Sequence, residues 1–460
     1  MSVQEYLEKH LLPRKIEEAV NAAVRAKAAD PVLFISTHMR RAAPAVITRV
    51  CARQILDSRG APAVEVDLHT NKAVHRASAA GPGAPEGAAV DATRDVEKRR
   101  LLAKAVADSV RLINGKVSEA LVGMDPQQQA QIDQAIMDLD KAHHRTEVGA
   151  NAMLAVSIAA CKAGAAEKEV PLYKHIADLV GKSATTLPVP AITVINGGTH
   201  AGNNLPIQEI MILPIGAKNF EEAMQMGSET YHHLKDIIWE KYGSDSCNIG
   251  DDGGFAPNIS SITEGLDLVI AAIDRAGYNG RIKLAIDAAA TDFCVGKKYD
   301  LEFKSAKKSG QNFKTGDDMI EIYSQLCSEY PLVSIEQPFD KDDWEHSKKF
   351  TTLELCQVVG DDLLMSDPER IKRAVNEYTC DALTLKAKDA HWGVMVSHRS
   401  GDTDDSFIAD LAVGAAAGQI KAGAPCRGEC LTKYNQLLRI EEEFGSEGVY
   451  AGENWRTTAS

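Results

Sequence analysis

Six short apolar runs in the second half of the chain each end in a side chain able to hold a metal, a proton or an anion. Lys-Leu-Ala-Ile ends at Asp287, Leu-Val-Ser-Ile at Glu336, Cys-Gln-Val-Val-Gly at Asp361 and Asp-Ala-Leu-Thr-Leu at Lys386. Met-Val-Ser ends at His398 and Arg399, and Gln-Ile at Lys421. Apolar runs of this length, separated by helical patterns, read as parallel strands of an α/β protein. In a barrel of such strands the C-terminal ends converge on one face, where the chemistry sits. Three acids, two lysines and a histidine at those ends point to a metal site beside cationic acid–base and anion-binding groups. That is the equipment of a lyase.

At 460 residues the chain exceeds the ~250–300 that a single core supports, so two domains and an appendage are expected. The formal charge of −14 carries no basic stripe, which argues against nucleic acid or an anionic membrane as the main partner. No run approaches the ~20 apolar residues that span a bilayer. The nine cysteines are scattered and odd in number, which fits reduced thiols rather than a disulfide framework. Glu5, Glu8 and Glu17 among the basic residues of the N-terminus fit neither a signal nor a transit peptide. A cytoplasmic enzyme is expected.

Three segments are distinguishable. In residues 1–46, Leu7, Leu11, Leu12, Ile16, Val20 and Val24 recur at helical steps on one apolar face. Asp30-Pro31 then offers an N-cap and a first-turn proline for a second helix over Val32–Met39. Residues 47–186 read as a smaller α+β domain, with a hairpin around Ser58-Arg59-Gly60 followed by helices. Residues 187–460 alternate strands and helices and read as a β/α barrel.

Asp287, Glu336 and Asp361 are hard oxygen ligands on nearby strands, a donor set that suits Mg²⁺. Single acids at strand ends often only cap the following helix. Three in register ahead of Lys386, His398 and Lys421 argue for a site.

Several motifs carry a family resemblance. Leu56-Asp-Ser-Arg-Gly60, Asn196-Gly-Gly-Thr-His200-Ala-Gly, Gln208-Glu209, Gly250-Asp-Asp-Gly-Gly254, Ser334-Ile-Glu-Gln-Pro-Phe339, Ser397-His-Arg-Ser-Gly401 and Asn435-Gln-Leu-Leu-Arg-Ile-Glu-Glu are similar to those of enolases. From about Val50 to Glu453 the chain resembles that family. Its leader resembles the N-terminal extension of a divergent plant cytosolic group. Tyr6-Leu7, Ala19-Val20 and Asp30-Pro31-Val32-Leu33-Phe34 also resemble the helix-hairpin dimerisation and docking motif of protein-kinase regulatory subunits, so a protein partner through residues 1–46 is expected.

The enolase resemblance implies reversible dehydration of 2-phosphoglycerate to phosphoenolpyruvate by a homodimer. Asp287, Glu336 and Asp361 would hold Mg²⁺, which would stabilise the ene-diolate left by proton removal. Lys386 would take the C2 proton, and Lys421 would lower its pKa and contact the carboxylate. Glu209 and Asp252 would protonate the departing C3 hydroxyl, with His200 and Gln208 alongside. His398, Arg399 and Ser400 would bind the phosphate. The alternative is a weak or inactive homologue that serves as a scaffold.

Three departures from the family support that alternative. Asp252 stands where the family carries Glu, one methylene short. Ala84 replaces the flap serine that binds a second Mg²⁺, and Ala88 replaces the flap histidine. Only Ala387 to His391 separate Lys386 from the strand beginning at Trp392, whereas a parallel crossover ordinarily needs ~10–12 residues including a helix. About sixteen residues found in other enolases are absent here. The expectation is a barrel that lacks one crossover helix and either displaces a strand or stays open at that point.

Overall fold

The computed structural model describes residues 2–80, 96–142, 149–183, 185–305, 313–365, 367–384 and 393–456. Three helices open the chain: α1 (Val3–Lys9), α2 (Leu12–Ala26) and α3 (Pro31–Ala42). The single apolar face expected over Leu7 to Val24 is broken at Leu11, whose φ is +52°. Pro13, in the first turn of α2, cannot donate the amide that would continue α1. Ser2 caps α1 in a reciprocal box with Glu5, and the Asp30 carboxylate caps α3 through the Leu33 amide.

β1 (Ile47–Leu56), β2 (Pro62–Thr70) and β3 (Val74–Ala79) form an antiparallel meander. Leu56 pairs with Pro62 across the Ser58-Arg59-Gly60 turn. The third strand escaped the sequence reading, for its polar edge at His75 and Arg76 masks the alternation. One face of this sheet packs on the helix Ala150–Lys168, whose run of small buried residues lets it lie close to the strands.

Eight strands form the barrel: β4 (Val189–Asn196), β5 (Glu209–Leu213), β6 (Lys283–Asp287), β10 (Leu332–Glu336), β11 (Gln357–Gly360), β12 (Ala382–Thr384), β13 (Gly393–Ser397) and β14 (Gln419–Lys421). The ring closes through β14 and β4. β5 runs antiparallel to both neighbours, a reversal that strand-by-strand reading did not foresee. Three short strands, β7 (Cys294–Val295), β8 (Lys298–Asp300) and β9 (Phe313–Lys314), form a small sheet between β6 and the helix Gly316–Glu329.

The expected displacement or opening after Lys386 is not found. β12 and β13 are adjacent and parallel, with Ala382 opposite Gly393 and Thr384 opposite Met395. The segment between them, residues 385–392, and with it the expected loss of a crossover helix, lies outside the described residues. Closure is possible because β12 is only three residues long. The return path is about 10 Å along the strand and 5 Å across. The nine Cα steps from Thr384 to Gly393 reach about 30 Å. A crossover helix covers an outer face; the chain can return without one.

α2 packs on α1 and α3. The leader meets the rest of the protein where Arg41 pairs with Glu169 and Arg40 donates to the Lys72 carbonyl at 2.7 Å. The Arg41 pair is solvent-exposed, and such pairs contribute little to stability. Removal of residues 1–43 should therefore leave the thermal unfolding midpoint within a few degrees of the full chain. A collapse of the cooperative transition would instead make the leader part of the core.

Candidate active site

Strand register decides which residues meet at the barrel rim. Asn196 of β4 pairs with Glu209 of β5, Glu209 with Asp287 of β6, and Asp287 with Glu336 of β10. Three carboxylates thus stand on three adjacent strands. The reversal of β5 brings its first residue, rather than its last, to the end where the others finish. Lys421, the last residue of β14, reaches across the ring. Its Nζ lies 2.6 Å from Asp287 Oδ2, 2.9 Å from Glu336 Oε2 and 3.4 Å from Glu209 Oε1. None of these four side chains is more than 5% exposed.

Burial sets the protonation of this group. It would strip Lys421 of its proton, but the charges of Asp287, Glu209 and Glu336 overcome it and hold the ammonium well above its usual range. Glu336 is driven well above the carboxylate range by burial and by Asp287 beside it. Glu209 is raised to about 7, chiefly by burial, against the pull of Lys421. Asp361, just beyond β11, lines the same cleft. One ammonium therefore faces more acid than it can neutralise.

A second group adjoins the first. His200 Nδ1 lies 2.7 Å from Asp252 Oδ2, and His398 Nε2 lies 3.5 Å from Asp252 Oδ1. The turn carrying Asp252 is fastened by the Gly254 amide to Asn196 Oδ1 at 2.9 Å and by the Ala424 amide to the Asp252 carbonyl at 2.8 Å. Burial alone would lower His200, but the Asp252 hydrogen bond and charge raise it to about 9. Burial would raise Asp252, yet His200 and His398 hold it well below the carboxylate range. His398, buried more deeply than its partners can offset, is pushed down. Ligand atoms of His200, Glu209 and Asp252 all lie within 4.8 Å of one another. His200 and Asp252 already neutralise each other there, whereas Asp287, Glu336 and Glu209 share the single ammonium of Lys421.

Opposite the acids, Ser397, His398 and Ser400 line the cleft. Ser400 Oγ, Ser58 Oγ and Arg59 Nε are buried without a hydrogen-bond partner among the described residues. Arg59 stacks over Gly401, where a Cβ would come within 2.1 Å of its Nε and where φ is +74°. The positive φ favours glycine in that turn, and a Cβ there would also displace the Arg59 guanidinium. Arg399 lies on the same loop, exposed.

Of the residues singled out from the sequence, His200, Gln208, Glu209, Asp252, Asp287, Asp361, His398, Ser400 and Lys421 line one cleft, and Glu336 lies against Lys421. Lys386, Ala84 and Ala88 lie outside the described residues. Two participants were missed. Gln337, at φ +50°, turns its amide to donate to Asp287 Oδ1 at 3.1 Å, in the orientation that also lets it accept from the Asp362 amide. Arg59 was legible only as part of a motif, because its partner Gly401 is distant in sequence.

The "Enolase, C-terminal TIM barrel domain" family model matches residues 184–459, and the "Enolase, N-terminal domain" family model matches residues 47–176. Cytosolic enolase 3 of Arabidopsis thaliana is 62% identical over 474 aligned positions, covering 99% of this chain and 99% of that protein. Enolase of Solanum lycopersicum is 51% identical over 441 positions, covering 90% of this chain and 98% of that protein. The 474 aligned positions exceed the 460 residues here, so at least 14 positions of the Arabidopsis protein have no counterpart in this chain. A gap of that size accommodates the segment missing after Lys386.

The raised His200 pKa makes a linkage expectation. A group whose folded pKa exceeds its unfolded value stabilises fully below the unfolded value and loses that stability as pH rises through the folded one. For His200 the loss falls between about 6.5 and about 9 and amounts to about 3 kcal/mol at most. Glu209, also raised, loses its contribution at lower pH, from about 4.5 to about 7. Urea unfolding of the metal-free protein should therefore show stability falling from pH 6.5 to 9, with a shallower fall in His200→Gln. Equal slopes in the two proteins would contradict the His200–Asp252 pairing.

Proposed function

Because the chain belongs to the enolase family, we propose that it is a cytosolic phosphopyruvate hydratase, a hydro-lyase that interconverts 2-phosphoglycerate and phosphoenolpyruvate in glycolysis. The observation that carries this reading is the juxtaposition of two buried groups of opposite protonation. On one side, Lys421 stands among Asp287, Glu336 and Glu209; on the other, His200 is bound to Asp252. An elimination that removes a proton from one carbon and a hydroxyl from the next can use the first as an acid cluster for a cation and the second to govern the leaving hydroxyl.

Asp287, Glu336 and Asp361 fit a divalent cation. Their carboxylates are hard donors, and Glu336 is raised well above its usual range by burial and Asp287, which marks an acidic cluster short of positive charge. We assign these three to Mg²⁺, which when bound would offset the negative charge of the substrate carboxylate as the C2 proton leaves. Lys386, two residues beyond the end of β12, is assigned as the base for that proton. Of the two carboxyl groups assigned to the leaving C3 hydroxyl, Glu209 keeps a proton near neutral pH. Asp252 is held ionised by His200. The hydroxyl would take its proton from this side and depart as water. Gln208 Nε2, 3.4 Å from Asp287 Oδ2 and 3.5 Å from Glu209 Oε1, holds the two acids at the substrate edge. Ser400, whose buried hydroxyl has no partner among the described residues, and His398 and Arg399 on the same loop are assigned to the phosphate.

Association is assigned to a homodimer and, through residues 1–46, to a protein partner. What supports the second is the leader's outer face: Ile16, Val20 and Val24, at four-residue steps on α2, are 46%, 41% and 70% exposed.

Phosphoenolpyruvate formation, followed by ultraviolet absorbance, should require Mg²⁺ and should be abolished in Lys386→Ala. Absence of turnover by the intact chain with saturating Mg²⁺ would overturn the reading. Restoring the family's longer side chain in Asp252→Glu should raise kcat, by up to ~10-fold, since displacements near 1 Å at a reacting group change rates by up to ~10². A fall in kcat would show that the site has re-formed around the shorter acid.

A further inference from the structure

The loop that presents His200 is clamped from outside the barrel. Gly198 and Ala201, on either side of Thr199 and His200, both turn their carbonyls to Lys304 Nζ, at 2.5 Å and 2.8 Å. Thr199 Oγ1 donates to Asp292 Oδ2 at 3.0 Å. Asp292 precedes the small sheet inserted after β6 and Lys304 follows its second strand, β8, so one appendage grips this turn at three points. Lys304 is itself anchored by its neighbour Phe303, whose ring centre lies 6.0 Å from that of Phe293. Phe293 is fully buried in the barrel core.

Lys304 is unusual among the lysines that reach the barrel. It is half-buried, and among the described residues no carboxylate pairs with it; its acceptors are two peptide carbonyls. Burial lowers it to about 8, so the ammonium persists at neutral pH without a counter-charge. A cation desolvated in this way does not serve solubility or a surface ion pair. It serves the turn it holds. That turn ends at His200, whose carbonyl accepts from the Asp251 amide at 3.3 Å and whose Nδ1 meets Asp252 at 2.7 Å.

We propose that Lys304 is a positioning residue for the reaction: its two bonds to the Gly198 and Ala201 carbonyls fix the turn that sets His200 against Asp252. The inference rests on the assignment of His200 and Asp252 to the leaving-hydroxyl side of the site. Without the clamp, the turn keeps its glycine-rich backbone but loses the contacts that fix its height above the rim. The imidazole then withdraws from Asp252, and both the His200 pKa and the rate follow.

The test uses the full chain with Lys304→Met and Lys304→Arg, free of metal and substrate, with labelled imidazoles followed by NMR and the His200 signal assigned by its loss in His200→Gln. In the wild-type protein His200 should titrate near 9. In Lys304→Met it should titrate at least one unit lower while the other histidines and the circular dichroism are unchanged, and Lys304→Arg should recover most of the shift. In the active enzyme, kcat should fall tenfold or more in Lys304→Met with KM nearly constant, and Lys304→Arg should restore it. An unchanged His200 titration in Lys304→Met overturns the proposal, and so does a shifted titration with undiminished turnover. Should the chain prove inactive, the NMR arm alone decides, so failure of the clamp and failure of the proposed reaction remain distinguishable.

Discussion

A single ammonium, that of Lys421, stands among Asp287, Glu336 and Glu209 in the most deeply buried part of the barrel rim. Taking charges of this size out of water costs several kcal/mol each, and removing one partner of such a group leaves the others unscreened. The arrangement persists because strand register leaves the acids nowhere else to go. β5, β6 and β10 deliver them side by side, and β14 delivers the lysine from across the ring. The neighbouring His200–Asp252 pair, neutral as a whole, lets the rim hold a second set of ionisable groups without adding net charge. The outcome is two carboxyl groups of contrasting state within one cleft, Glu209 raised and Asp252 lowered. Such separation is the pattern that assigns acid and base roles at pH 7.

The gap after Lys386 shows what holds the barrel closed. Length rules for parallel crossovers describe the usual helix-bearing connection. Here β12 contributes three residues and pairs in parallel with both β11 and β13. The hydrogen-bonded ring is continuous through these two strands.

Much of the site was legible because each side chain ends an apolar run, and such runs end at a barrel rim. Asp287, Glu336 and Lys421 were found that way and meet as expected. Glu209 could not be placed by the same rule, since it begins its strand; only the antiparallel register of β5 brings it to the rim. Pairings across the chain were likewise invisible. Nothing local links His200 to Asp252, Arg59 to Gly401 or Lys304 to the Gly198 turn. Gln337 was hidden for another reason: its role depends on a left-handed backbone that a non-glycine residue rarely takes. The leader's helices were legible from periodicity, whereas the break at Leu11 came from Pro13, which a reading of apolar spacing passes over.

The dependence of the site on Lys421 is tested most directly by urea unfolding of Lys421→Met against wild type, in chelator, at pH 8 and pH 5. The expected result is a loss of about 3–5 kcal/mol at pH 8, as for other buried charges stripped of a partner. At pH 5 the loss should be smaller, because Glu209 and Glu336, both raised above the usual carboxylate range, are then protonated and need no counter-charge. Equal stability of the two proteins at pH 8, or a loss that does not change with pH, would contradict the account.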